Sequence, residues 1–325
     1  MFAGVSILLL SSALIYTGIS SARASEKWLS RPLPPGKMVS ADGHRLYTTV
    51  MGKGYPVIVI ETGLGSISAE WREIQKALSR YTTVVTYDRA GYGWSDAGRK
   101  PRTASRITSE LNMLLSELGL NGPLVLVGEG IGALYMQFYA RTYPEKVRGA
   151  VFVEPLSTGY RIFKKELDPA IYNNLINRTP TLKVGAFFAK TGLMRSLRVI
   201  PYLNAPEELH DLIIEQYSLK KAYDAMIDEY SRSLKKSARE IEQAGPFPRI
   251  RLAVIHHAPG PYTRELLFFG LSLDQARRIE QISLDLDRST AGLSPLGRII
   301  YAEKHTRELH FTEPGLVIRT VKSML

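Results

Sequence analysis

A chain of 325 residues with 45% hydrophobic and 22% charged residues can bury a large core, and it is too apolar to stay disordered. The absence of cysteine excludes disulfides, thiol catalysis and cysteine-bound metal, and the six histidines fall into no ligand spacing such as His-Glu-x-x-His, so no metal or other cofactor is expected. The formal net charge of +11 comes from Lys and Arg spread along the chain without a nucleic-acid fold signature. No nucleic-acid partner is expected, and a solvated surface, helped by attraction to an anionic membrane face, is the simpler reading of that charge.

The first segment, Phe2 to Ser20, is almost uncharged and near the length of a spanning helix. Ala22-Arg23-Ala24 follows as an A-x-A cleavage pattern, although no basic residue precedes Arg23. Residues 1–24 are therefore expected to be a signal peptide or a membrane anchor, giving a membrane-associated or exported protein. If the segment is retained, Arg23, Lys27 and Arg31 favour a body on the cytoplasmic side. If it is cleaved, the body is exported.

Past the Pro-rich joint at Arg31 to Gly36, the pattern changes to short strands. Met38 to Ser40 and Leu46 to Met51 flank Asp42-Gly43, a hairpin turn signal. Val57 to Ile60, Thr83 to Tyr87 and Leu124 to Val127 are apolar runs of the kind buried on both faces. Helical periodicity at Ala69 to Leu78 and Ala104 to Leu118 separates them. A helix over Ile131 to Tyr143 and a strand over Gly149 to Glu154 follow. A long helical stretch then runs from Leu156 to about Gln243. Strands at Leu252 to His256 and Arg298 to Tyr301 precede a last helix, with Thr312 suited to cap it and Pro314 to its first turn.

This alternation predicts a mostly parallel, eight-stranded sheet with helices on both faces. The expected division is 25–155 for the first part of the core, 156–249 for an inserted helical cap and 250–325 for the rest of the core. Ligands of open α/β sheets bind at the C-terminal edge of the strands, beneath such a cap.

Three runs carry a resemblance: Glu61-Thr62-Gly63-Leu64-Gly65-Ser66, Tyr87-Asp88-Arg89-Ala90-Gly91-Tyr92-Gly93-Trp94-Ser95-Asp96, and Tyr143-Pro144-Glu145. With them the chain resembles the α/β-hydrolase superfamily, and a bacterial branch of it, from Pro34 to Leu325. The resemblance implies an α/β-hydrolase fold and a serine nucleophile on a strained strand-to-helix turn of G-x-S-x-G form. Here that turn reads Gly128-Glu129-Gly130-Ile131-Gly132, with both flanking glycines in place and Gly130 at the nucleophile position. A glycine cannot attack a carbonyl. Glu129 stands where the branch usually has histidine, and is directed away from the nucleophile position.

By the same resemblance, counting forward from Ala302 or backward from Pro314 puts the catalytic histidine position on Arg307. His310 then matches a second, structural histidine. Arginine stays protonated and cannot act as general base; a shifted loop would bring in His305 or His310. The acid position after the strand at Leu252 has no carboxylate until Glu265, and Glu154 occupies the alternative acid position. The resemblance also implies oxyanion donors at the amides of Leu64 and Ile131, and Arg307 is expected to pair with Glu129 or Glu154.

The reading is of a scaffold without the Ser-His pair, an accessory protein that binds an unidentified small molecule or protein partner. The alternative is a hydrolase of small esters with rearranged groups. Ser66 and Ser68 are the nearby hydroxyls for it, and helix capping is their plainer role. Binding of anionic lipid or nucleic acid through net charge alone is the third possibility.

Overall fold

A computed structural model describes residues 2–31, 35–200, 204–304 and 307–325, and the side chains of that set apart from residues 2–15, 232 and 233. Helix α1 (Phe2–Leu29) precedes a hairpin of β1 (Lys37–Ala41) and β2 (His44–Met51) that turns at Asp42-Gly43. Strand β3 (Val57–Glu61), helix α2 (Arg72–Leu78), β4 (Val84–Tyr87), α3 (Ala104–Glu117), β5 (Leu124–Glu129), α4 (Ile131–Thr142) and β6 (Val147–Val153) follow. Among the described residues seven α-helices then intervene, α5 (Arg161–Glu166), α6 (Pro169–Ile171), α7 (Thr179–Thr191), α8 (Leu193–Ser196), α9 (His210–Ser218), α10 (Lys220–Ile227) and α11 (Leu234–Gln243), with short 3₁₀ and π segments between them. The chain returns to the sheet as β7 (Arg251–His256), α12 (Pro259–Phe268), α13 (Leu273–Ala291), β8 (Gly297–Tyr301), α14 (Leu309–Thr312) and α15 (Pro314–Lys322).

The sheet has eight strands in the order β1-β2-β4-β3-β5-β6-β7-β8. β1–β2 and β2–β4 are antiparallel, and every other pair is parallel. This is the α/β-hydrolase fold. β3 and β4 are buried along their whole length, as the continuous Val and Ile runs require of strands covered on both faces. One core face packs α3 and α4 against Val59, Leu126 and Phe152, and the other packs α2 and α15 against Ile58, Val127 and Ile255.

Two local expectations are corrected. The stretch from Ala69 to Leu78 is not one helix: a 3₁₀ turn over Ser68–Trp71 precedes α2. Thr312 ends α14 instead of capping α15, because its hydroxyl donates back to the carbonyls of Arg307 and Glu308, and Glu313 takes the cap position. Helices α12 and α13 fill the long connection between β7 and β8.

The second half of α1 packs on α7, α8 and α9. Arg195 Nη1 donates to the carbonyl and hydroxyl of Ser21, each at 2.7 Å, and Trp28 is buried. Among the described residues no helix is long and apolar enough to cross a membrane. The expected apolar segment falls mainly on residues 1–15, whose side chains lie outside the described set.

Candidate functional site at the strand-to-helix elbow

Between β5 and α4 the chain turns at Gly130 with φ 52° and ψ −118°, a conformation that L-residues enter only under strain. The two flanking glycines are required by close approach. A Cβ on Gly128 would lie 2.6 Å from Ala133 Cα, and one on Gly132 would lie 2.5 Å from the Glu61 carbonyl oxygen. At Gly130 itself an added Cβ would meet nothing within 4 Å. The turn is tied to β6, since the Gly130 amide donates to Val153 O at 3.1 Å and its carbonyl accepts from Leu156 at 2.8 Å. The geometry that would present a side chain is intact, with room for one and none there.

Around this turn the charges are rearranged. Glu129 Oε2 accepts from the Gly63 amide at 3.1 Å and from Trp71 Nε1 at 3.3 Å. Its Oε1 lies 2.8 Å from His310 Nδ1. His310 is buried, stacks on Trp71 at 5.1 Å between ring centroids, and has Glu70 Oε2 3.8 Å from its Nε2. His310 and the two carboxylates form a buried ion-pair cluster. Burial alone would lower the His310 pKa, but Glu129 and Glu70 outweigh it and raise the value to about 10. Burial pushes the Glu129 carboxyl up, yet the imidazolium and the Gly63 and Trp71 donors leave it below the ordinary range. For Glu70, burial wins and the shift is upward.

Glu154 follows β6 at φ +46°, partly buried. Its Oε2 accepts from the Leu309 amide at 3.4 Å. Burial first, and then the charge of Glu129, push its pKa up to about 8; Leu309, His310 and Arg307 draw it down only in part. Arg307 is half exposed, and its Nε lies 2.8 Å from Glu265 Oε1. The expected pairing of Arg307 with Glu129 or Glu154 is therefore corrected. Glu129 is already engaged by His310 in the interior, while at the rim α12 brings Glu265 to a guanidinium that keeps part of its hydration. Glu265, the first carboxylate after β7, was visible in the sequence but too far along to read as the acid. His305 lies outside the described residues.

Both candidate hydroxyls are buried and engaged. Ser66 Oγ donates to Glu70 Oε2 at 2.8 Å, and Ser68 Oγ donates to Asp88 Oδ1 at 2.7 Å. The expected capping role is not theirs either: Ile67 is the cap of the 3₁₀ turn, and Glu70 Oε1 accepts its amide at 2.9 Å. Leu64 follows Gly63 in the loop after β3. Ile131 opens α4, where first-turn amides lack intrahelical acceptors.

Sequence reasoning quoted Arg89 within a motif without assigning it a role. Arg89 is buried, with Nη1 2.6 Å from both Glu61 Oε1 and Thr62 O, Nη2 2.7 Å from Gly63 O, and Nε and Nη2 each 3.2 Å from Glu229. Tyr92 Oη donates to Glu229 at 2.9 Å, and Tyr87 donates to Glu61. One guanidinium thus fixes the loop that carries Gly63 and Leu64 to the segment after α10. The signal for this was the motif itself, whose arginine sits two residues after a buried strand.

Asp42, His44 and Glu110 place donor atoms within 4.8 Å of one another. Arg102 meets both Glu110 oxygens at 2.5 and 2.9 Å, and Arg99 and Arg106 face Asp42 at 3.5 and 3.2 Å. The cluster is neutralised by arginine and reads as an ion-pair network.

Residues 56–190 match the family model described as alpha/beta hydrolase fold. That match takes in under half of the chain, and with the sheet order it supports the α/β-hydrolase fold. A protein named as a probable transporter from Hormonema carpetanum is 35% identical over 125 residues, 36% of this chain and 18% of that protein. An AB hydrolase superfamily protein of Gibberella zeae is 34% identical over 103 residues, 30% of this chain and 32% of its own length. The matched segments thus span under a third of these relatives. Among solved structures, the enol-lactonase of Burkholderia xenovorans superposes with a TM-score of 0.62 at 16% identity, covering 89% of this chain and 99% of the enzyme. At that identity the likeness concerns the fold.

Proposed function

We propose that this protein is a hydrolase-fold scaffold that binds a small molecule or a protein partner at the elbow without turning it over by a serine mechanism. The observation that carries this reading is Gly130, which keeps φ 52° and open space in the Cβ direction but supplies no nucleophile. Arg307, paired to Glu265, removes the base at the same time. Triad members act as a unit, so the remaining groups are binding groups: the Leu64 and Ile131 amides, and Glu154, Glu129 and His310 around them. The alternative with Ser66 as nucleophile loses support, because Ser66 is buried and donates to Glu70.

We also propose membrane association through residues 1–24, retained and not cleaved. Support comes from the apolar run Phe2 to Ser20, and from the bonds of Arg195 to Ser21, which lies on the amino-terminal side of the A-x-A pattern. The intact mass of the protein recovered from a membrane fraction tests this, and a mass beginning after Ala24 overturns it.

The functional test is exposure of the full chain to a fluorophosphonate probe, followed by peptide mapping. No labelling of the peptide containing Gly130 and no turnover of short acyl esters are expected. Covalent labelling within residues 61–68, or ester turnover abolished by Ser66→Ala, refutes the reading.

A further inference from the structure

Away from the elbow, a cavity of about 230 Å³ opens against β2 and α2. None of Glu129, Gly130, Glu154, Arg307 and His310 lines it. Its walls come from three separate segments: Trp28 of α1, Tyr47 of β2, and Trp94 from the loop after β4. The Trp28 and Trp94 rings stack at 4.6 Å and 27°, and Tyr47 tilts against Trp94 at 5.2 Å. The rings pack on one another and form an apolar wall of which little is open, with Trp28 4% and Trp94 9% exposed.

Two further observations bear on what this wall would receive. Arg31 and Arg72 line the cavity, both exposed, and no carboxylate does. Trp94 Nε1 is buried and has no acceptor among the described residues. A buried N–H without a partner is costly, and a turn of the Trp94 ring toward the cavity would offer it to an incoming acceptor. Guanidinium groups recognise planar carboxylates through paired donors, and stacked rings favour a flat apolar body. The volume lies below the roughly 300–1,000 Å³ of pockets for drug-sized ligands, which limits the guest to one or two rings.

We infer that this cavity is a second binding site, for an aromatic carboxylate of one or two rings, held between the Trp28–Trp94 wall and the guanidinium groups of Arg31 and Arg72. It is independent of the reading of the elbow. Because Trp28 belongs to α1, occupancy also helps to seat that helix on the body.

The test is calorimetric titration of the full chain with 2-naphthoate and with its uncharged counterpart 2-naphthamide. The expected result is one saturable site, with the acid bound at least tenfold more tightly than the amide. Arg72→Gln, a change at an exposed position, weakens the acid at least fivefold and leaves the amide unchanged. Trp94→Phe keeps a ring but deletes the donor, and weakens both compounds. Thermal melts of each variant establish that it is folded. Equal affinity for acid and amide, an unaltered acid affinity in folded Arg72→Gln, or no saturable binding up to millimolar concentration overturns the inference.

Discussion

Replacing Gly130 with serine separates the geometry of the elbow from its chemistry. At φ 52° and ψ −118° an L-residue is held outside its favoured regions, at a cost of roughly 1–3 kcal/mol. No steric overlap adds to this, because the new Cβ meets nothing within 4 Å and the bonds to Val153 and Leu156 use only backbone. Gly130→Ser should therefore fold, with an unfolding free energy lower by about 1–3 kcal/mol in a urea titration. It should not become an esterase, since the protonated Arg307 cannot take the hydroxyl proton. Adding Arg307→His offers an imidazole beside Glu265, whose Oε1 now lies 2.8 Å from the arginine Nε. A general base contributes roughly 10²–10⁴-fold, so the double variant should hydrolyse p-nitrophenyl acetate faster than the single one by up to that range. A loss above about 4 kcal/mol in the single variant would show that the turn is not a relict of the serine elbow. Ester turnover by Gly130→Ser alone would show that a base survives among the remaining groups.

Other consequences follow from the buried charges. Arg89→Ala leaves Glu61 and Glu229 buried without their shared cation, and should cost about 3–5 kcal/mol or prevent folding; Arg89→Lys should recover only part of this, since lysine lacks the planar fork. The raised pKa of His310, about 10 against an ordinary 6.5, means its contribution is complete below about pH 6.5 and is lost as pH rises through 10. The lowered Glu129 contributes above about pH 4.5 and loses its effect as pH falls through its depressed value. Melting temperature should accordingly peak near pH 5–6.5 and fall toward pH 10, and His310→Gln should flatten the alkaline limb; an unchanged limb in a folded variant would contradict the assignment. Glu154, raised to about 8, favours folding in its protonated form, so its effect is also lost as pH rises through 8. Glu154→Gln should be neutral at pH 5 and stabilising at pH 9, by no more than about 2 kcal/mol once its partial exposure is allowed for. Equal stability of Glu154→Gln and the parent at pH 9 would remove that group from the explanation.

Much of the fold was legible because it rests on local patterns. The Val and Ile runs at residues 57–60 and 124–127 can be satisfied only by strands covered on both faces, and the glycines at 128 and 132 mark close backbone approach. Sequence order also put Gly130 at the turn and His310 beside the elbow. Partnership was not legible. Arg307 chose Glu265 over Glu129 and Glu154 because of how α12 packs after β7, and no periodicity in residues 258–265 encodes that distance. The contacts of Ser66 and Ser68 were missed for a related reason. Their hydroxyls could serve a cap or a carboxylate, and the choice depends on Asp88 and on the Glu70 rotamer, which arrive from other parts of the fold.

The pairing of charges bears on whether the elbow is a remnant or a maintained surface. On the proposed reading, in which the serine and histidine are absent, carboxylates at the elbow would be left buried without counter-charges, each costing a few kcal/mol. Glu129 meets His310 in the interior and Arg307 meets Glu265 at the rim, whereas Glu154, with the Leu309 amide and more distant cations offsetting burial only in part, is pushed up to about 8. The loop after β3 is likewise held from two sides, by Glu129 at the Gly63 amide and by Arg89 at the Gly63 carbonyl. A loop fixed at both polar groups of one residue keeps the neighbouring Leu64 amide in a defined direction whether or not a bond is being broken. Under the proposed binding role, that rigidity would hold the amide toward an oxygen acceptor of the ligand in its ground state.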